Sequence, residues 1–377
     1  MKKNKILIIG GGLAGLGCAL ELSKQGELDF LVLAKDIGGR APDSSKVPPR
    51  ATFYARTEYR NLYPFLKLGR KANVWKGRLV GKDKIWKPIK ICLRHPLASL
   101  RFYFHVRKFN KHYERFALRS ETVTQKQAFE EDAFILKLYT QSAIDYLREN
   151  NLTILQEELV GTLVRVTGFL RIQEANAFLM LWIWLNLVKN GQECTVNFNK
   201  LTESFSDKIL TEEVSSVENL GNRWQVKVDS GEIYESEILV VATPINISQK
   251  LLSVQLAEFN VVKVYSVTVK GKVREKYSSG RYNVLPAQEN DVVVVKNDDS
   301  TFIFCSTQPN YDLTRYFEEF EIIETRNWDP AGFFGKSLID SKQDNNLYVI
   351  GDYHFPGLEA AFVTGIQTAR SILSNRA

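Results

Sequence analysis

Residues Ile6–Leu20 read ILIIGGGLAGLGCAL, an apolar run that breaks into glycines at Gly10. Two physical readings compete for it. Behind the start Met-Lys-Lys-Asn-Lys, the run has the charged head and apolar middle of an export leader, with Cys18 as a lipid-attachment site. It also has the form of a strand, a glycine turn and a helix start. Gly10-Gly11-Gly12-Leu13-Ala14-Gly15 fits G-x-G-x-x-G, with an apolar strand before it and an Ala/Leu helix after it. In that reading the first glycine makes the tight turn and the second lets a pyrophosphate approach the backbone. The third lets helix pack on strand, and the helix N-terminus offers N–H groups and a partial positive charge. The export reading fares worse. A lipoprotein box wants a branched apolar residue three before the cysteine, where Gly15 stands, and a second strand, DFLVLA, follows at the spacing a βαβ unit needs. Cys18 is then a small buried helix residue.

Composition narrows the classes. At 377 residues the chain is long enough for two domains, and 44% hydrophobic with 25% charged residues is an ordinary globular balance. Cys18, Cys92, Cys194 and Cys305 lie far apart with no CxxC pair, which argues against a disulfide framework or a zinc site and for a reducing compartment. His95, His105, His112 and His354 show no metal-binding spacing, so no metal site is expected. No Ser/His/Asp or Cys/His constellation is visible.

Charge is uneven. From Lys67 to Arg119 stand sixteen Lys/Arg against two acids, Asp83 and Glu114, a net of +14 in a chain that carries +7 overall. Trp75, Trp86, Leu97, Phe102, Tyr103 and Phe104 are interleaved with the basic residues. Such a segment suits an anionic membrane surface or a nucleic acid, with a solvated helical face as the plain alternative. Nucleic acid is disfavoured, because no helix-turn-helix signature, zinc spacing or RNP-like strand accompanies the charge.

Along the chain, helix is expected over about Leu13–Gln25 and strand over DFLVLA, ending at Ala34. From about Arg56 to Arg148 the pattern is mostly helical, with YPFLKLG ending at a glycine stop and Pro88 and Pro96 as breaks. AFLMLWIWLNLV, Ala177–Val188, is too short to span a bilayer and reads as a buried or interfacial helix. After Gly191 the texture turns to strands: a hairpin around Asp229–Gly231, a buried strand ending at Thr243-Pro244, then VVKVYSVTVKGKV, DVVVVKN and TFIFCST. The end is a strand, a polar turn and a closing helix.

With GGGLAGLGCALEL, IGGR at Ile37–Arg40 and LYVIGDYHFPGLEAAFVTGIQTA at Leu347–Ala369, the chain resembles the FAD-dependent amine oxidase, protoporphyrinogen oxidase and phytoene desaturase superfamily. EIYESEILVVATP, Glu232–Pro244, resembles the strand that returns to the nucleotide domain. The resemblance covers the FAD part well and residues 67–190 hardly at all. It implies that Gly10, Gly11, Gly12, Leu13, Ala14 and Gly15 cradle the FAD pyrophosphate. It implies that Gly38, Gly39 and Arg40 run along the cofactor, with Arg40 near phosphate or ribose. Gly351 and Asp352 would meet the ribityl chain or phosphates, and the helix entered at Leu358 would point N–H groups at the flavin pyrimidine.

There are departures. The family ends its second strand with an acid for the adenosine ribose, and here stand Ala34, Lys35 and Asp36; Asp36 after a loop shift, or Lys35, is left to hold the ribose. APDSSKVPPRATFYARTEYR replaces the hairpin that follows GGR, and TVNFNKLTESF replaces a glycine-rich turn. Gly357 occupies the place of an aromatic residue that helps cage amines, which puts amine oxidation second to the desaturase-like branches. Tyr353 and His354, after the Gly-Asp turn, are read as a solvent-facing turn before any role at the flavin. Lys263 fits plain strand alternation and receives no role.

The expected architecture is α/β. A discontinuous Rossmann-like FAD-binding domain is assembled from 1–66, 191–247 and 321–377, and a mixed helical and β-sheet substrate domain from 67–190 and 248–320. The expected function is FAD-dependent oxidation of a small lipophilic substrate by hydride transfer to the flavin. The alternatives are a flavin amine oxidase, or a non-catalytic descendant that acts on a membrane or partner through its basic face. The expected location is cytoplasmic, with residues 67–119 as a candidate contact to the inner face of a membrane.

Overall fold

The structure, a computed structural model, describes residues 2–41, 43, 53–55, 59–71, 77–80, 85–189, 191–278, 280–285, 291–297, 300–335, 337–354 and 357–375. Most of APDSSKVPPRATFYARTEYR lies outside them, as do Phe355 and Pro356.

Ile6–Ile9 are apolar and at most 2% exposed, as expected for a central strand covered on both faces. They end β1 (Lys2–Ile9), which leads through a glycine turn into α1 (Leu13–Lys24) and returns as β2 (Phe30–Ala34), parallel to β1 with Ile6 opposite Phe30. Short strands follow: β3 (Phe53–Ala55), β4 (Leu66–Lys71), β5 (Arg78–Val80) and β6 (Ile85–Trp86). A helical stretch then runs through α2 (Pro88–Arg94), α3 (Pro96–Arg119), α4 (Gln125–Glu131), α5 (Ala133–Thr140), α6 (Ala143–Glu149), α7 (Thr162–Gly168) and α8 (Ala177–Val188). Pro88 and Pro96 each sit at a helix start, where their missing N–H costs nothing.

The second half opens with β7 (Gln192–Val196) and α9 (Phe198–Thr202), then β8 (Ile209–Thr211), β9 (Val214–Asn219), β10 (Trp224–Val228) and β11 (Ile233–Val241). After α10 (Ile245–Leu252) come β12 (Phe259–Val273), α11 (Glu275–Ser278), β13 (Tyr282–Val284), β14 (Asp291–Lys296), β15 (Thr301–Ser306) and β16 (Phe317–Gly335). β17 (Lys342–Asp344), β18 (Leu347–Val349) and α12 (Leu358–Ser374) close the chain.

Two large sheets result. The first has the order β17-β18-β11-β1-β2-β8; the run from β18 to β8 is parallel throughout, β17 is antiparallel to β18, and the β9–β10 hairpin adds to β11 through β10, antiparallel. One face is covered by α1 and α12, which touch backbone to backbone. A Cβ on Gly17 would meet the Phe362 carbonyl oxygen, and one on Gly365 would meet that of Ala14. The second sheet has the order β16-β12-β15-β14-β13-β5-β6, and its face packs with the helices of 88–188 in one apolar core. β3, β7 and β4 form a small third sheet.

The α/β class is as expected, and two local readings are corrected. YPFLKLG is a short 3-10 turn followed by β4, because Leu66 and Leu68 pair with β7 across the sheet and override the helical pattern. The expected border at 320/321 falls inside β16, whose long antiparallel register with β12 keeps it in the second sheet as far as Gly335. The apolar helix α8 is buried rather than interfacial: Asn176 caps it through the Leu179 N–H, and Ala177–Leu185 are at most 8% exposed. Among the described residues no helix is long and apolar enough to cross a membrane.

Candidate functional site

The glycine turn splits its work among its glycines. Gly10 adopts φ +118° and its N–H donates to the Leu33 carbonyl at 2.8 Å; a Cβ there would lie 2.6 Å from the Ala242 oxygen, so β11 leaves no room. Gly12 is different. It is the N-cap of α1 with φ −78°, and a Cβ built on it would meet nothing within 4 Å. The first bond inside the helix runs from the Leu16 N–H to the Gly12 carbonyl at 2.9 Å, so the four N–H groups of Gly12–Gly15 have no intrahelical acceptor. No acid stands in this first turn, and its partial positive charge faces open space.

That space is a cleft of about 360 Å³ at the carboxyl ends of β1, β2, β8 and β11. Its walls include Gly10–Ala14, Ala34–Asp36, Gly38–Ala41, Glu212–Val214, Ala242–Pro244, Gly351–Asp352 and Gly357–Leu358. Every residue expected to hold a cofactor lines it except Gly15. A Cβ on Gly15 would overlap the Gly10 carbonyl oxygen, so Gly15 serves the contact of helix on strand and does not face the cleft.

The turn at Gly38–Arg40 lies directly against the glycine turn. The Gly38 N–H donates to the Gly11 carbonyl at 2.8 Å, and Gly38 and Gly39 take φ +102° and +54°. Arg40 then reaches across the molecule. Its Nη2 is 2.6 Å from Asp352 Oδ1, its Nη1 donates to the Ala331 carbonyl at 3.1 Å, and its guanidinium lies 5.4 Å from the centre of the Phe333 ring. Two of the charged residues expected at the cofactor, Arg40 and Asp352, thus hold each other at one wall of the cleft.

At the other end β2 closes with Ala34, buried at 2%. The neighbouring strand brings acid instead. β8 runs parallel to β2 with Thr211 opposite Ala34, the Glu212 N–H donates to the Ala34 carbonyl at 3.0 Å, and Glu212 and Glu213 enter the cleft wall. Glu213 Oε2 is 2.6 Å from Lys35 Nζ, and this hydrogen bond raises the lysine pKa above its ordinary value. Sequence reasoning missed both glutamates. TEEV after the apolar pair Ile209-Leu210 carries no signal until β8 is known to lie beside β2.

Tyr353 and His354 do not face solvent, which corrects the turn reading. The Tyr353 hydroxyl donates to the Thr243 carbonyl at 2.9 Å, tying the Gly351–Asp352 turn to the end of β11, and burial raises its pKa. His354 Nε2 accepts the Ile339 N–H at 3.1 Å, so Nδ1 carries the proton and donates to Gln125 Oε1 at 3.0 Å. Burial pushes its pKa down to about 4, and the ring is neutral at pH 7. Neither residue lines the cleft. Glu359, in the first turn of α12, accepts the N–H groups of Arg60, Asn61 and Leu62 at 2.8–3.0 Å and fixes that segment beside the helix. Beside Gly357 stands Trp182 of α8, whose ring would lie 3.4 Å from a Cβ at that position. Lys263 is exposed and 2.7 Å from Asp329. Among the described residues no cluster of His, Cys, Asp or Glu suits a metal ion.

A family model described as an NAD(P)-binding Rossmann-like domain matches residues 8–65, the segment that contains β1, α1, β2 and the Gly38–Arg40 turn. The match and the observed β1–α1–β2 geometry agree that this segment is a Rossmann-like unit. The whole fold is shared more widely. A double variant of putrescine oxidase redesigned in cofactor binding superposes with a TM-score of 0.67 at 13% identity, covering 99% of both chains. Wild-type putrescine oxidase bound to putrescine gives 0.66 at 13% identity with the same coverage. A CLA-producing fatty acid isomerase from P. acnes gives 0.65 at 13% identity, covering 99% of this chain and 98% of its own. The resemblance read in the terminal motifs thus holds at the level of fold over the full length. No curated protein sequence matches the chain.

Proposed function

We propose that the chain is an FAD-dependent oxidoreductase acting on a small lipophilic substrate. The observation that carries the reading is the convergence in one cleft of the open first turn of α1, the Gly38–Arg40 turn and the Gly351–Asp352 turn. The cleft fits such a group. Gly12 leaves its wall bare where a side chain would intrude, and the open first turn of α1, with its positive dipole end, borders the cleft there. In this reading Gly11–Ala14 hold the pyrophosphate, and Arg40 and Asp352 hold the phosphates and ribityl hydroxyls. The first turn of α12 approaches the flavin ring.

The ribose hydroxyls fall to Glu212 or Glu213, because β2 brings no acid. Replacing both with alanine is expected to weaken FAD binding about tenfold, one lost charge-assisted hydrogen bond, while the exposed Lys35 pair leaves stability nearly unchanged. A fluorescence titration checks this.

Bound FAD would supply the two-electron acceptor. The protein's own part is to position the substrate carbon and exclude water. Trp182 of α8 beside Gly357 sets an apolar ring next to the cleft wall, which favours a lipophilic substrate over a charged one. Putrescine oxidase and the fatty acid isomerase mark two chemistries that this fold hosts, an amine and a fatty acyl chain. Anaerobic addition of fatty acids, polyenes, porphyrinogens and amines to the FAD-loaded protein separates them: a lipophilic compound is expected to bleach the flavin band. Bleaching by diamines alone would favour amine oxidation, and failure of every compound would favour a descendant without catalysis. Ala34 is the observation behind that second reading.

A further inference from the structure

We propose that the corner between α2 and α3 is a docking site for an anionic lipid surface. Each helix begins with a proline, and His95 alone separates them, so the chain turns sharply and projects. The side chains at the corner are apolar and stand out: Leu97 is 79% exposed, Leu93 72%, Leu100 and Phe104 54% each and Ile89 46%. On α3 the spacing 97, 100, 104 continues as Lys108, Lys111 and Arg115, all exposed along one stripe. The opposite stripe, Phe102, Val106, Phe109 and Phe116, is at most 4% exposed and anchors α3 to α8 and α5. The outward stripe is therefore apolar at its first half and basic at its second.

The charge is available. Glu114 is the one acid of residues 85–119, and it is engaged by Lys189 at 3.1 Å. Arg94, Arg115 and Arg119 pair with Glu158, Asp132 and Glu131 in turn. Lys87, Lys90, Arg107 and Lys111 have no acidic partner among the described residues. The occupant follows from shape and charge together. A side chain nearly four-fifths exposed has little protein beside it, so it projects as a wedge and does not sit in a flat patch; leucine and phenylalanine wedges ringed by lysine suit acyl chains beneath anionic headgroups. A nucleic acid would use the lysines and leave Leu93, Leu97 and Phe104 without a partner.

The test is co-sedimentation of the full chain with vesicles of phosphatidylcholine containing about 30 mol% phosphatidylserine, against pure phosphatidylcholine. Binding to the anionic vesicles that falls as salt rises is expected. Leu97→Glu with Phe104→Glu should lower the partition coefficient at least ~10-fold, and Lys90→Glu with Lys111→Glu should remove the preference for anionic lipid, with circular dichroism unchanged. If the glutamate pair fails to fold, Leu97→Gln alone is read the same way. No binding at low salt, or equal binding by the apolar variant, overturns the proposal. So does a dimer in sedimentation velocity that Leu97→Glu dissolves, or binding to random duplex DNA that ignores Leu97.

Discussion

Gly12 and Gly15 stand three residues apart in one motif and do opposite work. A Cβ at Gly12 meets no protein atom within 4 Å, whereas one at Gly15 strikes the Gly10 carbonyl. Gly12→Val is therefore expected to cost only about 1 kcal/mol, the difference between a good and a poor N-cap, and to block the cleft. Gly15→Ala is expected to cost ~2 kcal/mol or more by forcing α1 off β1. Thermal unfolding separates the two: a near-native midpoint for the first and a large drop for the second. The motif's presence was legible in the sequence, and so was the packing role of its third glycine. That Gly15 has no share in the cleft needed the helix in place. At Ala34 the sequence showed a missing acid but not its neighbour, since Glu212 lies far along the chain and reaches the cleft only through the pairing of β8 with β2.

At the scale of elements, α1 and α12 are held by the contact of their backbones at Gly17 and Gly365. Gly365→Ala is expected to separate them, with a loss of roughly 2 kcal/mol or more and a matching loss of nucleotide uptake, because both helix N-termini border the cleft. Urea unfolding with an FAD titration measures both. His354 ties the 351–354 turn to α4 and to Ile339. Its folded pKa, about 4, lies below its ordinary value of 6.5, so the unfolded chain binds more protons between those values. Stability should be full above pH 6.5 and fall as pH drops toward 4, by an amount on the order of 3 kcal/mol. His354→Gln should flatten that slope, as denaturant midpoints across pH would record. The strand–turn–helix at Ile6 and the late strands were legible because each is periodic and self-contained. The buried state of Tyr353 and His354 was not, since the partners Thr243 and Gln125 come from two distant segments and Ile339 from the segment just before the turn. YPFLKLG misled for the same reason: its partner β7 lies more than a hundred residues on.

Over the whole molecule, the first sheet gathers strand ends from residues 9, 34, 211 and 241 into one edge, and the cleft lies there. The second sheet and the helices of 88–188 form the larger apolar core and carry the basic corner on their outside. Within that sheet, β1, β2, β11 and β18 were readable from motifs, whereas β8 was not. Nor was the helical layer, because its character comes from burial of Phe109 and Phe116 against Phe178 and of Phe102 against Trp184, which periodicity marks only as helix. The central claim concerns the cleft, and one measurement meets it most directly: the visible absorption spectrum of the purified protein during FAD addition, taken beside that of Gly12→Val. The account predicts a saturable, perturbed flavin band for the native chain and none for the variant, with both folded by circular dichroism. A native chain that takes up no FAD, or a Gly12→Val variant that takes it up equally well, would contradict it.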